Sequence, residues 1–306
     1  MTRILVTGGF GFVGRALLPL LEQAGVELHA VTSRSLPAPR PGITWHRCDL
    51  LDPVAAARLL QQIRPSHLVH LAWITEHGVY WTSPRNQDWL KASIGLFEQF
   101  QRGGGRHALI TGTCAEYGPS SVPCCEDVTA TGPTTPYGRA KLELLAELEP
   151  RAATGSVRLV WARLFHLYGP HEGPARLVPA VIQSLLQGRA VACTSGTQLR
   201  DYAYIGNVAS SLVALLRSDF AGTVNVASGE ARAVRSVIEA VANLLGRPDL
   251  PQFGAMATKP SEPDVLIANI ARLRSVVGSK AEIDFTTAMQ RTIECYRADF
   301  LGGTQM

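Results

Sequence analysis

A glycine-rich turn near the amino terminus constrains the fold of this chain most strongly. The strand-like segment Arg3–Thr7 leads into a turn, which is followed by a segment compatible with a helix. Glycines in this order permit a tight turn, let the backbone approach a pyrophosphate, and allow the helix to pack closely on the sheet. The helix amino terminus then faces an anion. The pattern predicts a dinucleotide site, although a glycine-rich turn that binds no ligand would have the same sequence. The predicted cofactor-binding residues of this turn are Gly8, Gly11, Phe12, Val13 and Gly14.

Short apolar runs alternate with helix-compatible segments along the chain, which is typical of repeated βαβ units. The runs have the continuous hydrophobicity of buried parallel strands, and they lie at residues 4–7, 28–32, 43–46, 68–71, 108–111 and 157–162. The pattern predicts an α/β protein with a Rossmann-type doubly wound parallel sheet and a smaller carboxy-terminal substrate-binding lobe. We expect residues 1–165 to form the dinucleotide-binding domain, which the chain rejoins by about 200–228, and residues 166–199 and 229–306 to form the lobe.

Composition and charge narrow the class of partner. The 306 residues include 29 Lys and Arg against 25 Asp and Glu, a net charge of +4, and no run of like charges suggests a nucleic-acid or membrane surface. No apolar stretch is long enough to span a membrane, and the first strand leaves no room for a signal peptide, so we expect a cytoplasmic protein. The six cysteines show neither a CxxC pair nor metal-ligand spacing. We therefore expect reduced thiols and no metal.

The end of the second predicted strand bears on the choice of cofactor. Sites for NAD usually place Asp or Glu there to hold the ribose 2′-hydroxyl, whereas this chain has Ser33 and Arg34. No carboxylate would repel a 2′-phosphate, and the planar guanidinium of Arg34 can bind one. The sequence thus favours NADP(H) over NAD(H), unless Arg34 is only a solvated loop residue.

Tyr137 and Lys141 suggest proton-transfer chemistry. They lie four residues apart in a helix-compatible segment, so their side chains share one helix face. A free tyrosine titrates near pH 10, and a nearby ammonium group would lower its pKa and let it act as a general acid or base. A YxxxK pattern alone is common by chance, so the interpretation depends on the rest of the chain.

Six segments with distinctive residues follow one another along nearly the whole chain: TGGFGFVG, HLAW, GTCAEYG, TPYGRAK, RLFHLYGP and RDYAYIGNVA. Together they resemble the extended short-chain dehydrogenase/reductase family of nucleotide-sugar epimerases, dehydratases and reductases. The resemblance implies that Thr113 hydrogen-bonds the substrate oxygen, Tyr137 transfers the proton, and Lys141 also holds the nicotinamide ribose. It further implies cofactor contacts near the adenine from Asp49 and Leu50 and along the cofactor from Leu71, Ala72 and Trp73. Asp49 could instead serve as a turn or helix-capping residue.

The same resemblance implies four substrate contacts, from Thr113, Cys114, His166 and Arg200. His166 stands where the family usually has asparagine, and a structural histidine is the alternative. Arg200 matches the arginine that contacts the nucleotide phosphate, although arginine also pairs readily with a carboxylate. The aromatic residues Trp73, Tyr80, Trp81 and Trp89 either wall the sugar site or pack in the interior.

The residues after Thr113 separate the possible reactions. Family dehydratases follow the threonine with Asp and Glu, where this chain has Cys114 and Ala115, so 4,6-dehydration is disfavoured. Family reductases that also epimerise C3 and C5 carry a cysteine at the position of Ala115, so epimerisation at these carbons is disfavoured. The NADP(H) argument then favours reduction of a nucleotide-linked keto-sugar, a 4-keto-6-deoxyhexose above all, over a nucleotide-sugar 4-epimerase with bound NAD. A non-catalytic NADP(H) sensor would not need the Thr113, Tyr137 and Lys141 set.

The resemblance also implies a homodimer. Residues 86–101 and 137–149 carry the apolar helix faces that pair across a dimer in the family, but a stripe that faces the core gives the same pattern.

Overall fold

The computed structural model of the chain describes residues 2–39, 41–257, 263–278 and 282–303. Its largest element is a seven-stranded sheet in which every neighbouring pair is parallel. The strands are β1 (Arg3–Thr7), β2 (Glu27–Thr32), β3 (Ile43–Arg47), β4 (His67–His70), β5 (His107–Thr113), β6 (Arg158–Leu164) and β10 (Gly222–Val226), in the order β10-β6-β5-β4-β1-β2-β3. The doubly wound Rossmann-type sheet is confirmed.

Two layers of helices cover the faces of this sheet. One apolar layer joins the sheet to α1 (Phe12–Glu22), α6 (Ile205–Arg217) and α8 (Ala271–Val277), and the other joins it to α2 (Pro53–Ile63), α3 (Arg85–Arg102) and α4 (Pro136–Thr154). Successive strand residues point to opposite faces, so Ile4 and Val6 belong to the first layer and Leu5 to the second. Burial on both faces explains why these strands are continuously apolar.

A third apolar core lies in the carboxy-terminal part of the chain. It contains side chains from α5 (Leu177–Leu186), α7 (Val234–Leu244) and α9 (Phe285–Gly303). Short strands accompany them: β7 (His166–Tyr168), β8 (Val191–Cys193), β9 (Leu199–Tyr204), β11 (Ala231–Ala233), β12 (Pro251–Phe253) and β13 (Val265–Leu266). In the second sheet, β9 pairs with β7, β11 and β13. A separate two-stranded sheet consists of β8 and β12. The predicted boundaries between the domain and the lobe stay a prediction, and residues 258–262, 279–281 and 304–306 of the predicted lobe lie outside the described part.

The strand order places a crevice at the centre of the main sheet. The chain proceeds from β1 outward through β2 and β3, then returns to β4 on the other side of β1. In open α/β sheets, ligands bind where the order reverses, outside the carboxyl ends of the strands. The glycine turn after β1 and the segment after β4 flank that point. No helix in the described ranges combines the length and apolarity needed to cross a membrane.

Candidate active site

The glycine turn closes tightly on itself and on the segment after β4. Gly8 has a φ of 69°, and a Cβ added to it would lie 2.9 Å from the amide nitrogen of Ala72. A Cβ on Gly14 would lie 2.5 Å from the carbonyl oxygen of Gly8, to which the Gly11 amide donates at 2.9 Å. Helix α1 begins at Phe12 without a side-chain cap or an acidic residue in its first turn. Its first amides are therefore suited to a phosphate, and the turn fits a dinucleotide.

Thr7 and His70 fix the ends of β1 and β4 beside this turn. The Thr7 hydroxyl accepts hydrogen bonds from the amides of Leu71 and Ala72, at 3.2 and 3.3 Å, and lies 2.7 Å from Nδ1 of His70. Burial, with a contribution from the charge of Lys141, lowers the pKa of His70 to about 3. A neutral His70 thus holds in place the segment predicted to line the cofactor.

The tautomer of His70 follows from its second partner. Ser93 donates its hydroxyl proton to the carbonyl of Trp89 at 2.7 Å, so its oxygen accepts from Nε2 of His70 at 2.9 Å. Nδ1 then accepts from Thr7. The sequence interpretation missed this series of hydrogen bonds, although Thr7 and His70 lie inside the segments TGG and HLAW.

The predicted adenine end is more open. Ser33 and Arg34 are exposed after β2, and the Arg34 amide donates to the Thr32 hydroxyl at 3.0 Å. Asp49 is exposed after β3, and its carboxylate accepts from the Leu51 amide at 3.0 Å, which is the turn role considered above. Leu50 is buried beside it. Contacts of these residues with a cofactor stay a prediction.

Thr113 and Tyr137 come together at the carboxyl end of β5. Thr113 ends the strand, and α4 begins at Pro136 with the Thr135 hydroxyl accepting from the Gly138 amide at 3.1 Å. A Cβ on Gly138 would lie 2.4 Å from the carbonyl oxygen of Ala115, so α4 packs directly on the turn after Thr113. The Thr113 hydroxyl opposes the rise in the pKa of Tyr137, so the two side chains lie close together. One substrate oxygen could therefore contact both hydroxyls.

Three aromatic rings surround the half-buried phenol of Tyr137. Tyr80 and Trp81 meet it nearly perpendicularly, with centroids 5.0 and 5.6 Å away, and Trp73 lies at 6.5 Å. Burial raises the pKa of Tyr137 above its usual value, and the nearby side chain of Thr113 opposes this rise. Trp73, Tyr80 and Trp81 therefore pack around the phenol, and that the aromatic residues wall a sugar site stays a prediction.

Lys141 is almost fully buried beneath this cluster. Its Nζ donates to the Thr111 carbonyl at 2.9 Å and lies 3.9 Å from the ring centroid of Trp73. Burial lowers the pKa of Lys141 to about 7, while the charge of Glu116 acts in the opposite direction. The expectation that the ammonium group lowers the pKa of Tyr137 is not met, because burial raises that pKa and leaves Lys141 itself only partly charged at neutral pH.

Glu116 is the carboxylate next to this site, and it faces inward. Its oxygens accept from the Thr113 amide at 2.8 Å, from the Trp161 indole at 3.1 and 3.2 Å, and from Arg163 at 2.7 Å. Burial raises the pKa of Glu116, while Arg163 stabilises its charged form. Since both side chains are buried, the pair supports the turn Cys114–Glu116, and the carboxylate is shielded from solvent.

Cys114 follows Thr113 in the same turn. Its thiol is buried, and burial raises its pKa to about 12. A neutral thiol of this kind neither attacks a carbon nor exchanges protons with a sugar at neutral pH. Its predicted contact with the substrate stays a prediction.

The opposite side of the cleft comes from the carboxy-terminal part of the chain. Arg176 donates to the Tyr80 hydroxyl at 3.2 Å, and its charge, with that of Arg200, acts on His166. Burial is the main cause that lowers the pKa of His166 to about 3, and Nδ1 of this neutral ring has no hydrogen-bond partner among the described residues. Arg200 is buried and donates to the Leu199 carbonyl at 2.9 Å. The sequence interpretation did not identify Arg176 as part of the site.

Comparisons with known proteins agree with this geometry. Residues 4–227 match the model of the NAD dependent epimerase/dehydratase family. The chain is 27% identical to a UDP-glucose 4-epimerase of Streptomyces lividans, with 90% of each covered, and 28% identical to one of Azospirillum brasilense, with 90% of this chain and 86% of the relative covered. The fold resembles the crystal structure of a Thermus thermophilus UDP-glucose 4-epimerase in complex with NAD, with a TM-score of 0.87, 23% identity, and 97% of this chain and 99% of the other covered.

Proposed function

Because the chain belongs to the NAD dependent epimerase/dehydratase family, we propose that it is a nucleotide-sugar 4-epimerase that works with tightly bound NAD. Relatives of similar length include UDP-glucose 4-epimerases of Streptomyces lividans and Azospirillum brasilense, and also a probable dTDP-glucose 4,6-dehydratase of Sinorhizobium fredii. These relatives favour the epimerase over the keto-sugar reductase that the sequence alone favoured, so a UDP-hexose is the expected substrate. The enzyme class, an extended short-chain dehydrogenase/reductase acting on nucleotide sugars, is common to both possibilities.

The inward orientation of Glu116 carries the proposal. Removal of water from a sugar needs an acid and a base in addition to the group that handles the oxidised hydroxyl. Beside Thr113, the carboxylate of Glu116 is held by Arg163 and Trp161 in the interior, and the neighbouring thiol of Cys114 stays neutral. Within the described part of the chain, the residues around Thr113 and Tyr137 thus favour proton transfer at one oxygen, which suffices for 4-epimerisation but not for dehydration.

The protein side of the reaction follows from the two hydroxyls. Thr113 would orient the sugar 4-hydroxyl, and Tyr137 would take its proton and later return it. Bound NAD would accept the hydride from C4 and return it to the opposite face, and its positive charge would favour the phenolate. Lys141 lies under Trp73, where we propose that it holds the nicotinamide ribose. The free Nδ1 of His166 and the guanidinium of Arg200 are proposed to bind the nucleotide-linked portion of the substrate.

One feature supports the reductase as a second candidate. Exposed Ser33 and Arg34 follow β2 where an NAD site usually has a carboxylate, and Arg34 could hold a 2′-phosphate. An NADPH-dependent reductase of a nucleotide-linked keto-sugar would use the same Thr113 and Tyr137 to protonate the carbonyl oxygen.

The two candidates differ in their need for added cofactor. We expect the purified protein to interconvert UDP-glucose and UDP-galactose without added dinucleotide, as followed by NMR of the anomeric signals, and to release NAD on acid denaturation. A protein that is inactive in this assay but oxidises NADPH when given a nucleotide-linked 4-keto-6-deoxyhexose would be the reductase. Substituting Arg34→Ala should then raise the KM for NADPH and leave that for NADH unchanged.

The arrangement of the whole molecule adds two proposals. The nucleotide sugar would lie between the dinucleotide-binding domain and the carboxy-terminal lobe, because Tyr137 belongs to the first predicted unit and His166 to the second. The homodimer expected through α3 and α4 stays a proposal, which sedimentation velocity of the purified protein would test.

A further inference from the structure

Three potential metal ligands meet on the surface of the carboxy-terminal part of the chain. They are the imidazole of His171, the thiol of Cys295 and the carboxylate of Asp299, whose ligand atoms all lie within 4.8 Å of one another. Nδ1 of His171 is 3.7 Å from Sγ of Cys295. The site residues described above do not include these three.

The ligands come from two segments that the fold holds side by side. Cys295 and Asp299 are four residues apart in α9, so they share one face of that helix. His171 lies in the connection between β7 and α5. The hydroxyl of Tyr296, the neighbour of Cys295, donates to the carbonyl of Glu172 at 2.7 Å and fixes this connection against α9.

The backbone of His171 is unusual in a way that suits a ligand. Its φ is 65°, a left-handed conformation that is unfavourable for a non-glycine residue. The strained conformation brings the imidazole to the thiol of Cys295. Strain of this kind is concentrated at functional sites, where surrounding contacts maintain it.

The chemistry of the three groups selects the ion. Imidazole nitrogen, thiolate sulfur and carboxylate oxygen are the ligands of zinc, at bond lengths of about 2.0–2.3 Å. A tetrahedral ion would bring the ligand atoms to within about 4 Å of one another, which the exposed His171 and Asp299 can reach by small side-chain rotations. Magnesium and calcium prefer oxygen ligands, so a thiol disfavours them.

We propose that His171, Cys295 and Asp299 form a binding site for Zn²⁺ or a similar borderline divalent ion, with water as the fourth ligand. The ion joins α9 to the connection between β7 and α5. The same connection leads to Arg176, which contacts Tyr80. The spacing of the cysteines in the sequence gave no sign of this site because His171 and Cys295 are 124 residues apart.

The test uses Co²⁺, a spectroscopic substitute for Zn²⁺. The full chain with its bound dinucleotide is treated with a chelator, dialysed and titrated with Co²⁺ in a buffer without thiols. We expect one equivalent to produce a thiolate-to-cobalt charge-transfer band and the visible bands of tetrahedral cobalt, and Zn²⁺ to abolish both by displacement. Zn²⁺ should also raise the midpoint of thermal unfolding, since it binds the folded chain.

Variants assign the ligands. Cys295→Ser should remove the charge-transfer band, and His171→Asn should weaken Co²⁺ binding at least tenfold. Cys125→Ser is the matched control, because Cys125 is also a partly exposed thiol but does not belong to the cluster, and it should leave the spectrum unchanged. Circular dichroism verifies that each variant is folded. Absence of the band in the wild-type protein, or its persistence in Cys295→Ser, would refute the site.

Discussion

At the scale of single residues, the position of Tyr137 combines chemistry with packing. The ring lies among Trp73, Tyr80 and Trp81, and the side chain of Thr113 lies close to the hydroxyl. The packing holds the phenol in one orientation, and the nearby Thr113 places the substrate oxygen on which it is proposed to act. Removing the hydroxyl alone would therefore separate catalysis from structure.

We expect Tyr137→Phe to lower kcat by about 10²–10⁴-fold, the usual contribution of a positioned acid or base, while the ring contacts and the bound dinucleotide are retained. Turnover is measured by NMR and the bound dinucleotide by its release on denaturation. Tyr204→Phe serves as the control, since that ring packs on Tyr168 in the carboxy-terminal part of the chain and should leave kcat unchanged. Equal activity of wild type and Tyr137→Phe would exclude the mechanism.

Lys141 leads to a prediction about pH. Burial lowers its pKa in the folded chain from 10.5 to about 7, so above pH 7 the unfolded chain holds one proton more than the folded chain at this residue. The free energy of unfolding should then rise with pH, by up to about 1.4 kcal/mol per unit, until the unfolded lysine loses its proton. Conversely, below pH 7 the folded chain bears the cost of a buried charge.

Urea unfolding of wild type and Lys141→Met at pH 7, 8 and 9 isolates this contribution, because the other titrating groups are common to both proteins. We expect the free energy of unfolding of the wild type to rise more steeply with pH than that of the variant. Parallel curves would show that Lys141 titrates like an ordinary lysine.

Residue spacing and the family resemblance each predicted part of the site. The four-residue interval between Tyr137 and Lys141 placed both on one helix face, and the resemblance implied Thr113. The sequence could not predict how strongly burial would act on the pKa of the tyrosine and the lysine, because burial depends on tertiary packing. Arg176 was missed for a similar reason, since its contact with Tyr80 spans 96 residues.

At the scale of elements, the glycine turn joins strand β1 to helix α1 with no room for a side chain. The position that a Cβ on Gly14 would take is blocked by the backbone carbonyls of Gly8 and Gly9. These carbonyls cannot move without opening the turn. Helix α3 offers a contrast: a Cβ on Gly95 would meet nothing within 4 Å.

We expect Gly14→Ala to abolish dinucleotide binding, because its Cβ would lie 2.5 Å from the Gly8 carbonyl oxygen and displace the start of α1. Gly95→Ala should instead raise the free energy of unfolding by up to about 1 kcal/mol, since alanine favours a helix interior. Dinucleotide content of the purified variants and urea unfolding measure the two effects. Full dinucleotide occupancy in Gly14→Ala would contradict the close packing inferred for this turn.

Most strands of the main sheet were predictable because they are buried on both faces and read as apolar runs; the edge strand β3, in which Thr44 and Arg47 are exposed, is an exception. Strands β1 to β6 lie within a few residues of the predicted runs. The short strands β8, β11, β12 and β13 have two or three residues each, too few to establish a period. Their pairing depends on contacts between distant segments.

At the scale of the whole molecule, Asp201 connects β9 of the second sheet to segments beyond it. Its buried carboxylate accepts hydrogen bonds from the amide and the hydroxyl of Ser228 at 2.8 and 2.6 Å, and from the amide of Gly229 at 2.8 Å, just after β10 of the main sheet. The amide of Ala268 approaches it at 3.4 Å. Such an arrangement requires a side chain with two acceptor oxygens.

We expect Asp201→Asn to lower the free energy of unfolding by about 1–3 kcal/mol for each amide left without an acceptor, because the asparagine NH₂ group would face a backbone N–H. Glu230→Gln is the control: Glu230 is exposed and pairs with Arg232, so its loss should cost less than about 1 kcal/mol. Urea unfolding compares the two variants with the wild type. If Asp201→Asn were as stable as Glu230→Gln, the hydrogen bonds of Asp201 would not be what connects the two sheets. Contacts of other residues would then have to hold the neighbouring Arg200 in position.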